Sequence, residues 1–300
     1  MKTPPYLQKG DSIAIVAPAR SVIIEEMLPA ITLFEEWGLK VMLGEHLFGS
    51  QNQFSGTEEE RAEDFQTMLD NDEIKAIVCA RGGYGIVRII DLLSFDHFIQ
   101  HPKWIVGYSD VTVLHSHIHT RLVIETLHAT MPINIYANPN YESTESLHDA
   151  LFGKPISYQI PTSPFSRVGE GNGELIGGNL SILYSLNATE SDIDTDWKIL
   201  FIEDLDEYLY HIDRMMLNLK RSGKLNNLAG LIIGGLTEMK DNTIPFGATA
   251  EEIICNAIAE FDYPVCFGFP AGHGDDNRAL IFGRDVKLNV TDETSELTFN

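Results

Sequence analysis

Within the first 110 residues, four short apolar runs alternate with segments of helical character, and this alternation narrows the possible folds more than any other feature. Residues 12–17 (SIAIVA) read as a buried strand closed by Pro18, residues 40–43 as a second strand, 76–79 as a third and 105–106 as a fourth. Between the first two, Met27, Ile31 and Phe34 recur at helical spacing over residues 21–37, and Gly38 ends the pattern. The polar stretch 44–56 reads as a loop, and Thr57-Glu58-Glu59-Glu60 is a capping box that opens a helix running to about residue 70. Repeated β-α-β units predict a parallel sheet with helices on both faces. In such sheets ligands bind beyond the carboxyl ends of the strands. Two loops of unusual composition, 81–85 and 107–110, fall at ends of that kind.

The stretch from 153 to 172, with Pro155, Pro161, Pro164 and three glycines, reads as a connection between halves. A second unit opens at Gly173 and continues with a strand at 198–202 that ends on Glu203. An amphipathic helix follows over 206–222, with Leu209, Ile212, Met216 and Leu219 on one face and Gly223 as its stop. Residues 231–235 and 264–268 read as further strands, 249–261 as a helix, and the alternating tail 279–299 as antiparallel hairpins. The expected architecture is α/β in two domains, residues 1–153 and 173–300, joined by a linker at 154–172, with the site between them.

Composition excludes several partners. Lys plus Arg number 21 against 44 Asp plus Glu, a net charge of −23, and such a surface repels nucleic-acid phosphates and anionic lipid. No apolar run approaches the roughly 18 residues of a spanning helix, and residues 1–10 lack a signal-peptide core. The three cysteines, Cys79, Cys255 and Cys266, have no metal-type spacing, and a reducing cytoplasm is expected.

The chemistry concentrates in Gly107-Tyr108-Ser109-Asp110, which joins an apolar run directly to a helix-like stretch. A serine at the tip of such a turn exposes its Oγ and has free backbone N–H groups beside it. The alternative is an ordinary N-cap, made redundant here by Asp110. Activation needs a base, and His273, flanked by Gly272 and Gly274 just past a strand end, is the candidate. Glu203 or the adjacent Asp204 is the carboxylate available to orient it. The Asp110 N–H and the Gly82-Gly83 turn are candidate oxyanion donors. His115 and His119 have a chelating i, i+4 spacing but no matching further ligand, and read as partly exposed structural histidines. Cys79 lies near Arg81, yet its apolar run argues for burial rather than nucleophilic chemistry. Residues 81–85 lack the Lys-Ser/Thr of a phosphate loop, so no nucleotide is expected, nor any other cofactor or metal.

Taken together these motifs resemble the LD-carboxypeptidase family of serine peptidases, which includes the microcin-immunity carboxypeptidases. The resemblance runs from Gly10-Asp11-Ser12 through Ala80–Gly85, Gly107–Thr112, Gly177-Gly178-Asn179-Leu180 and Phe201–Asp204 to Gly272-His273-Gly274. It implies a flavodoxin-like N-terminal half and a smaller mixed α/β C-terminal half. Ser109 is then the nucleophile, His273 the base, Glu203 the orienting carboxylate, and Gly83 and Asp110 the oxyanion amides. It also implies a cytoplasmic homodimer that releases terminal D-alanine from muropeptide tetrapeptides in peptidoglycan recycling. The microcin-immunity branch instead cuts peptidyl- or aminoacyl-nucleotides, using a longer loop before its Glu with a base-stacking aromatic. Only about twenty residues lie between Asn179 and Glu203 here, with Trp197 next to the strand, which favours the muropeptide branch. A carboxypeptidase must grip a free carboxylate, and Arg81 is the candidate, with an internal ion pair as its alternative role. Asn179 is a second candidate substrate contact. A non-catalytic binding module is the rival class, and the intact Ser, Glu and His argue against it.

Overall fold

In the computed structural model, which describes residues 1–300, the first half folds as a parallel sheet. Its elements are β1 (Ser12–Val16), α1 (Ile24–Glu36), β2 (Lys40–Leu43), α2 (Glu58–Asp70), β3 (Ile74–Cys79), α3 (Asp96–Gln100), β4 (Trp104–Val106), α4 (Thr112–Leu122) and β5 (Thr126–His128). The strand order β2-β1-β3-β4-β5 is flavodoxin-like, with its switch point between β1 and β3. Both faces are covered, which explains the unbroken apolar runs. Ile13, Ile15, Ala76, Val78, Trp104 and Val106 enter one core cluster, while the alternate residues Ala14, Val16, Ile77, Cys79 and Ile105 enter another. The capping box of α2 forms as expected: Thr57 Oγ1 accepts from Glu60 N at 3.2 Å, and Glu60 Oε2 accepts from Thr57 N at 2.8 Å. α1 begins later than its apolar pattern suggests because Arg20 and Ser21 pair instead with the 51–54 loop.

The chain continues through α5 (Pro132–Ala137), α6 (Tyr141–Leu151), β6 (Ser157–Pro161), β7 (Gly169–Asn179), α7 (Leu180–Leu186) and β8 (Ile199–Leu205). It ends with α8 (Leu209–Arg221), β9 (Gly230–Thr237), α9 (Ala250–Ala257), β10 (Val265–Phe267), β11 (Leu280–Phe282), β12 (Asp285–Val290) and β13 (Thr294–Phe299). The second sheet runs β10-β9-β8-β7-β12-β13-β6, parallel from β7 to β10 and antiparallel beyond.

Two expectations change. The 154–172 stretch is not an irregular linker, since it holds β6 and the start of β7. Its glycines, and Gly173 just after, permit close backbone crossing: a Cβ on Gly171 would lie 2.1 Å from Ala229 O, and one on Gly173 2.6 Å from Trp197 O. The tail is only partly hairpin. β12 and β13 pair with each other, but β11 leaves them to pair antiparallel with β5 in the first sheet. One core cluster accordingly holds Trp104 and Val106 of the first sheet together with Phe201 and Leu288 of the second. No helix is long and apolar enough to cross a membrane.

Candidate active site

The carboxyl ends of β1, β3 and β4 face those of β7 and β8, together with the loop after β10, across a cleft of about 440 Å³. Arg20, Arg81, Gly82, Gly83, Ser109 and Asp110 line it from the first sheet. Asn179, Asp204 and His273 line it from the second.

Ser109 has φ +64°, a left-handed conformation that is strained for a residue with a side chain. A short 3-10 turn (Ser109–Val111) carries the backbone from there into α4. The turn fits only because residue 82 is glycine. A Cβ there would sit 2.8 Å from Ser109 Cβ and 3.0 Å from its Oγ. Asp110 is buried, and its Oδ2 accepts the Ile86 amide at 2.9 Å, tying the glycine-rich loop to the serine turn. Burial pushes its pKa up to about 6, against the opposing effects of that amide and of Arg61. The backbone amides of Gly83 and Asp110 donate to no protein acceptor and remain available beside the serine.

His273 is held from several sides. Its Nδ1 lies 2.6 Å from Oε2 of the fully buried Glu203, and its backbone N–H donates to the same oxygen at 3.2 Å. Tyr108 packs its ring edge-on, with centroids 4.8 Å apart. Gly272 (φ +104°) makes the approach possible, since a Cβ there would fall 2.6 Å from Glu203 Oε2. Burial alone would lower the His273 pKa, but the charge and hydrogen bond of Glu203, with Asp204 behind it, carry it above the usual 6.5. Ser109 and His273 share the cleft but make no hydrogen bond to each other in this structure. Catalytic contacts of that kind often tighten only when substrate binds.

Of the two neighbouring carboxylates, Glu203 meets the imidazole. Asp204 accepts from Asn179 Nδ2 (3.0 Å), Leu205 N (2.9 Å) and Ser181 N (3.0 Å). Burial and then the Glu203 charge push its pKa up to about 7. Asn179 spans the pair, with Nδ2 also donating to Glu203 Oε1 at 3.2 Å. Its Oδ1 accepts from Ser181 Oγ (2.7 Å) and Ile182 N (3.2 Å), and its own N–H donates to Thr112 Oγ1 (3.0 Å). The buried amide has all its donors and acceptors paired within the protein.

Arg81 has no carboxylate partner, its one hydrogen bond running from Nη1 to Ser21 O at 3.3 Å. Arg20, which sequence reasoning missed, is exposed, and its aliphatic stem lies where a Gly83 Cβ would be, 2.5 Å from Cδ. It follows β1 as Arg81 follows β3, so the two guanidiniums flank the switch point. The signal that could have found Arg20 is its place just past the carboxyl end of β1, the end where ligands bind in such sheets.

The other candidates separate from the site. His115 is fully buried rather than partly exposed. Its ring nitrogens each lie 2.8 Å from Gly107 O and Thr126 Oγ1, and burial lowers its pKa to about 4. His119 contacts Glu174 and Lys198 instead, so the i, i+4 pair does not converge. Burial pushes the Cys79 thiol far up, away from nucleophilic use. Trp197 is 73% exposed but precedes β8, at the strand end away from the cleft.

A flavodoxin-like sheet that faces a second α/β unit across a cleft shared by Ser109 and His273 defines a two-domain α/β architecture. The chain belongs to the LD-carboxypeptidase family: the family's N-terminal-domain profile matches residues 13–129 and its C-terminal-domain profile residues 172–288. A probable murein peptide carboxypeptidase of Bacillus subtilis is 35% identical over 97% of this chain and 93% of its own. The murein tetrapeptide carboxypeptidase of Pseudomonas aeruginosa is 26% identical over 92% of each chain. The structure of muramoyltetrapeptide carboxypeptidase from Oxalobacter formigenes superposes with a TM-score of 0.86 at 25% identity, covering 96% of this chain and 98% of that one. The fold is also shared with the microcin C7 self-immunity protein MccF in complex with aspartyl sulfamoyl adenosine, at a TM-score of 0.87 and 21% identity over 98% of this chain and 97% of that one.

Proposed function

We propose that the protein is a serine LD-carboxypeptidase that removes the terminal D-alanine from murein tetrapeptides. The observation that carries this reading is the His273 Nδ1–Glu203 Oε2 contact of 2.6 Å, made on the same cleft as the strained Ser109 turn. Ser109 Oγ attacks the scissile carbonyl while His273 Nε2 takes its proton. Glu203 fixes the imidazole tautomer and stabilises the imidazolium. The amides of Gly83 and Asp110 receive the oxyanion, and losing one such donor typically costs ~100-fold or more in rate. His273 then protonates the departing D-alanine amine and activates water for deacylation. Asn179 positions Glu203.

The unpaired guanidiniums of Arg20 and Arg81 give this acidic protein a local cationic site for the substrate's free carboxylate. The reading through peptidyl-nucleotides has less support. Apart from His273, Tyr108 is the one aromatic residue lining the cleft, and it is buried between His273 and His128 rather than presented to a nucleobase.

The test is a comparison of kcat/KM for L-Ala-γ-D-Glu-meso-diaminopimelate-D-Ala, its C-terminal amide, and an aminoacyl sulfamoyl adenosine. The free-acid tetrapeptide is expected to lead both by ~100-fold or more, and Arg81→Lys to erode its lead over the amide. Preference for the nucleoside substrate would overturn the assignment. An equal loss on acid and amide would remove Arg81 from carboxylate recognition.

A further inference from the structure

We propose that Asp72, His97 and His101 form a binding site for a divalent transition metal of the zinc class, on the edge of the first sheet opposite the cleft. His97 lies in α3 and His101 directly follows it. The helical hydrogen bond from His101 N to His97 O, 3.0 Å, stacks their imidazoles with centroids 4.7 Å apart and planes at 21°. Each ring turns one nitrogen to the same oxygen: His97 Nε2 is 3.4 Å and His101 Nδ1 3.6 Å from Asp72 Oδ1. These separations are too long for good hydrogen bonds. They fit a tetrahedral metal instead, because bonds of about 2.0–2.1 Å place neighbouring ligand atoms about 3.4 Å apart.

Two imidazole nitrogens and a carboxylate oxygen are donors that zinc accepts, and the fourth position is open to water. All three ligand atoms lie within 4.8 Å of one another, and no other trio of His, Cys, Asp or Glu in the chain converges in this way. The carboxylate has no competing side-chain partner, since Lys75 Nζ bonds the Asp72 backbone carbonyl at 2.9 Å instead. The side chains are 65% (Asp72), 33% (His97) and 57% (His101) exposed, so an ion reaches them without opening the fold. Asp72 precedes β3 and His101 precedes β4, whereas the serine turn follows β4. A metal held here pins two turns at the amino ends of the central strands, far from the catalytic chemistry. Its effect is on stability.

The experiment is a zinc titration of the EDTA-stripped, dialysed full-length protein by calorimetry, with Tm measured alongside. Wild type is expected to bind one zinc with micromolar affinity, and its Tm to rise by ~3–6 °C at a hundredfold excess over Kd. The double variant His97→Ala/His101→Ala should lose both effects. His273→Ala, a control for zinc on the catalytic imidazole, should keep them. If the double variant's metal-free Tm shows damage to the fold, the exposed single variant His101→Ala replaces it, with at least ~10-fold weaker binding expected. Absence of zinc binding by wild type, retention of it in the histidine variants, or its loss in His273→Ala would each overturn the proposal.

Discussion

The two edges that meet in the cleft are built from different materials. The first-sheet edge works through backbone: a serine at positive φ, a glycine that leaves it room, free amides, and two guanidiniums at the switch point. The second-sheet edge works through buried charge: Glu203 and Asp204, both almost fully buried, are bridged by Asn179 and coupled to His273. The strut from Asn179 N to Thr112 Oγ1, in the helix that follows Ser109, joins the two edges directly. Both edges need glycine for close approach, Gly82 at the serine and Gly272 at Glu203, but only the second also rests on a buried network of carboxylate hydrogen bonds.

Substitutions that strike one edge at a time sharpen this contrast. On the charged edge, Glu203→Gln keeps the shape but removes the carboxylate proposed to fix the tautomer, and kcat should fall by ~10⁴-fold. A loss below tenfold would mean that Asp204 can replace it. On the backbone edge, Gly82→Ala puts a methyl group where Ser109 Cβ and Oγ already lie, and should cost ~100-fold in kcat. Unchanged turnover would show that the serine turn yields readily.

Asn179→Ala tests the bridge. A positioning role predicts a fall of ~10-fold or more in kcat with KM little changed, whereas a substrate contact predicts the reverse split. The smallest effect concerns pH. As the proposed base His273 must be neutral, and Glu203 raises its pKa, so kcat/KM should decline on the acid side at a higher pH than an ordinary imidazole would give. Asp204→Asn removes one of the groups whose charge raises that pKa and should move the acid limb to lower pH. A limb that stays in place would uncouple the two groups.

The backbone edge was the more legible in sequence, because its cause is local. An apolar run, a glycine and a serine adjacent in the chain already specify a strand-to-helix turn, and β1 to β4 follow from apolar runs separated by helical periods. The charged edge is assembled from residues 179, 203 and 273, and its division of labour depends on tertiary geometry. Successive strand residues normally point to opposite faces, but the pairing of β8 with β9 shifts register between Ile202 and Asp204, and Asn179 reaches both carboxylates. No local pattern separates Glu203 from Asp204. The glycines of 169–173 misled for a related reason: they permit close strand crossing, a non-local demand that reads in sequence as a flexible connection.

Ser109 as nucleophile is tested most directly by D-alanine release from the diaminopimelate-D-alanine tetrapeptide, followed by mass spectrometry for the native protein and Ser109→Ala side by side. The native protein is expected to release one D-alanine per tetrapeptide, and the variant to do so at a rate at least ~10⁴-fold lower. Comparable release by both would contradict Ser109 as the nucleophile, and no release by either would contradict the muropeptide assignment.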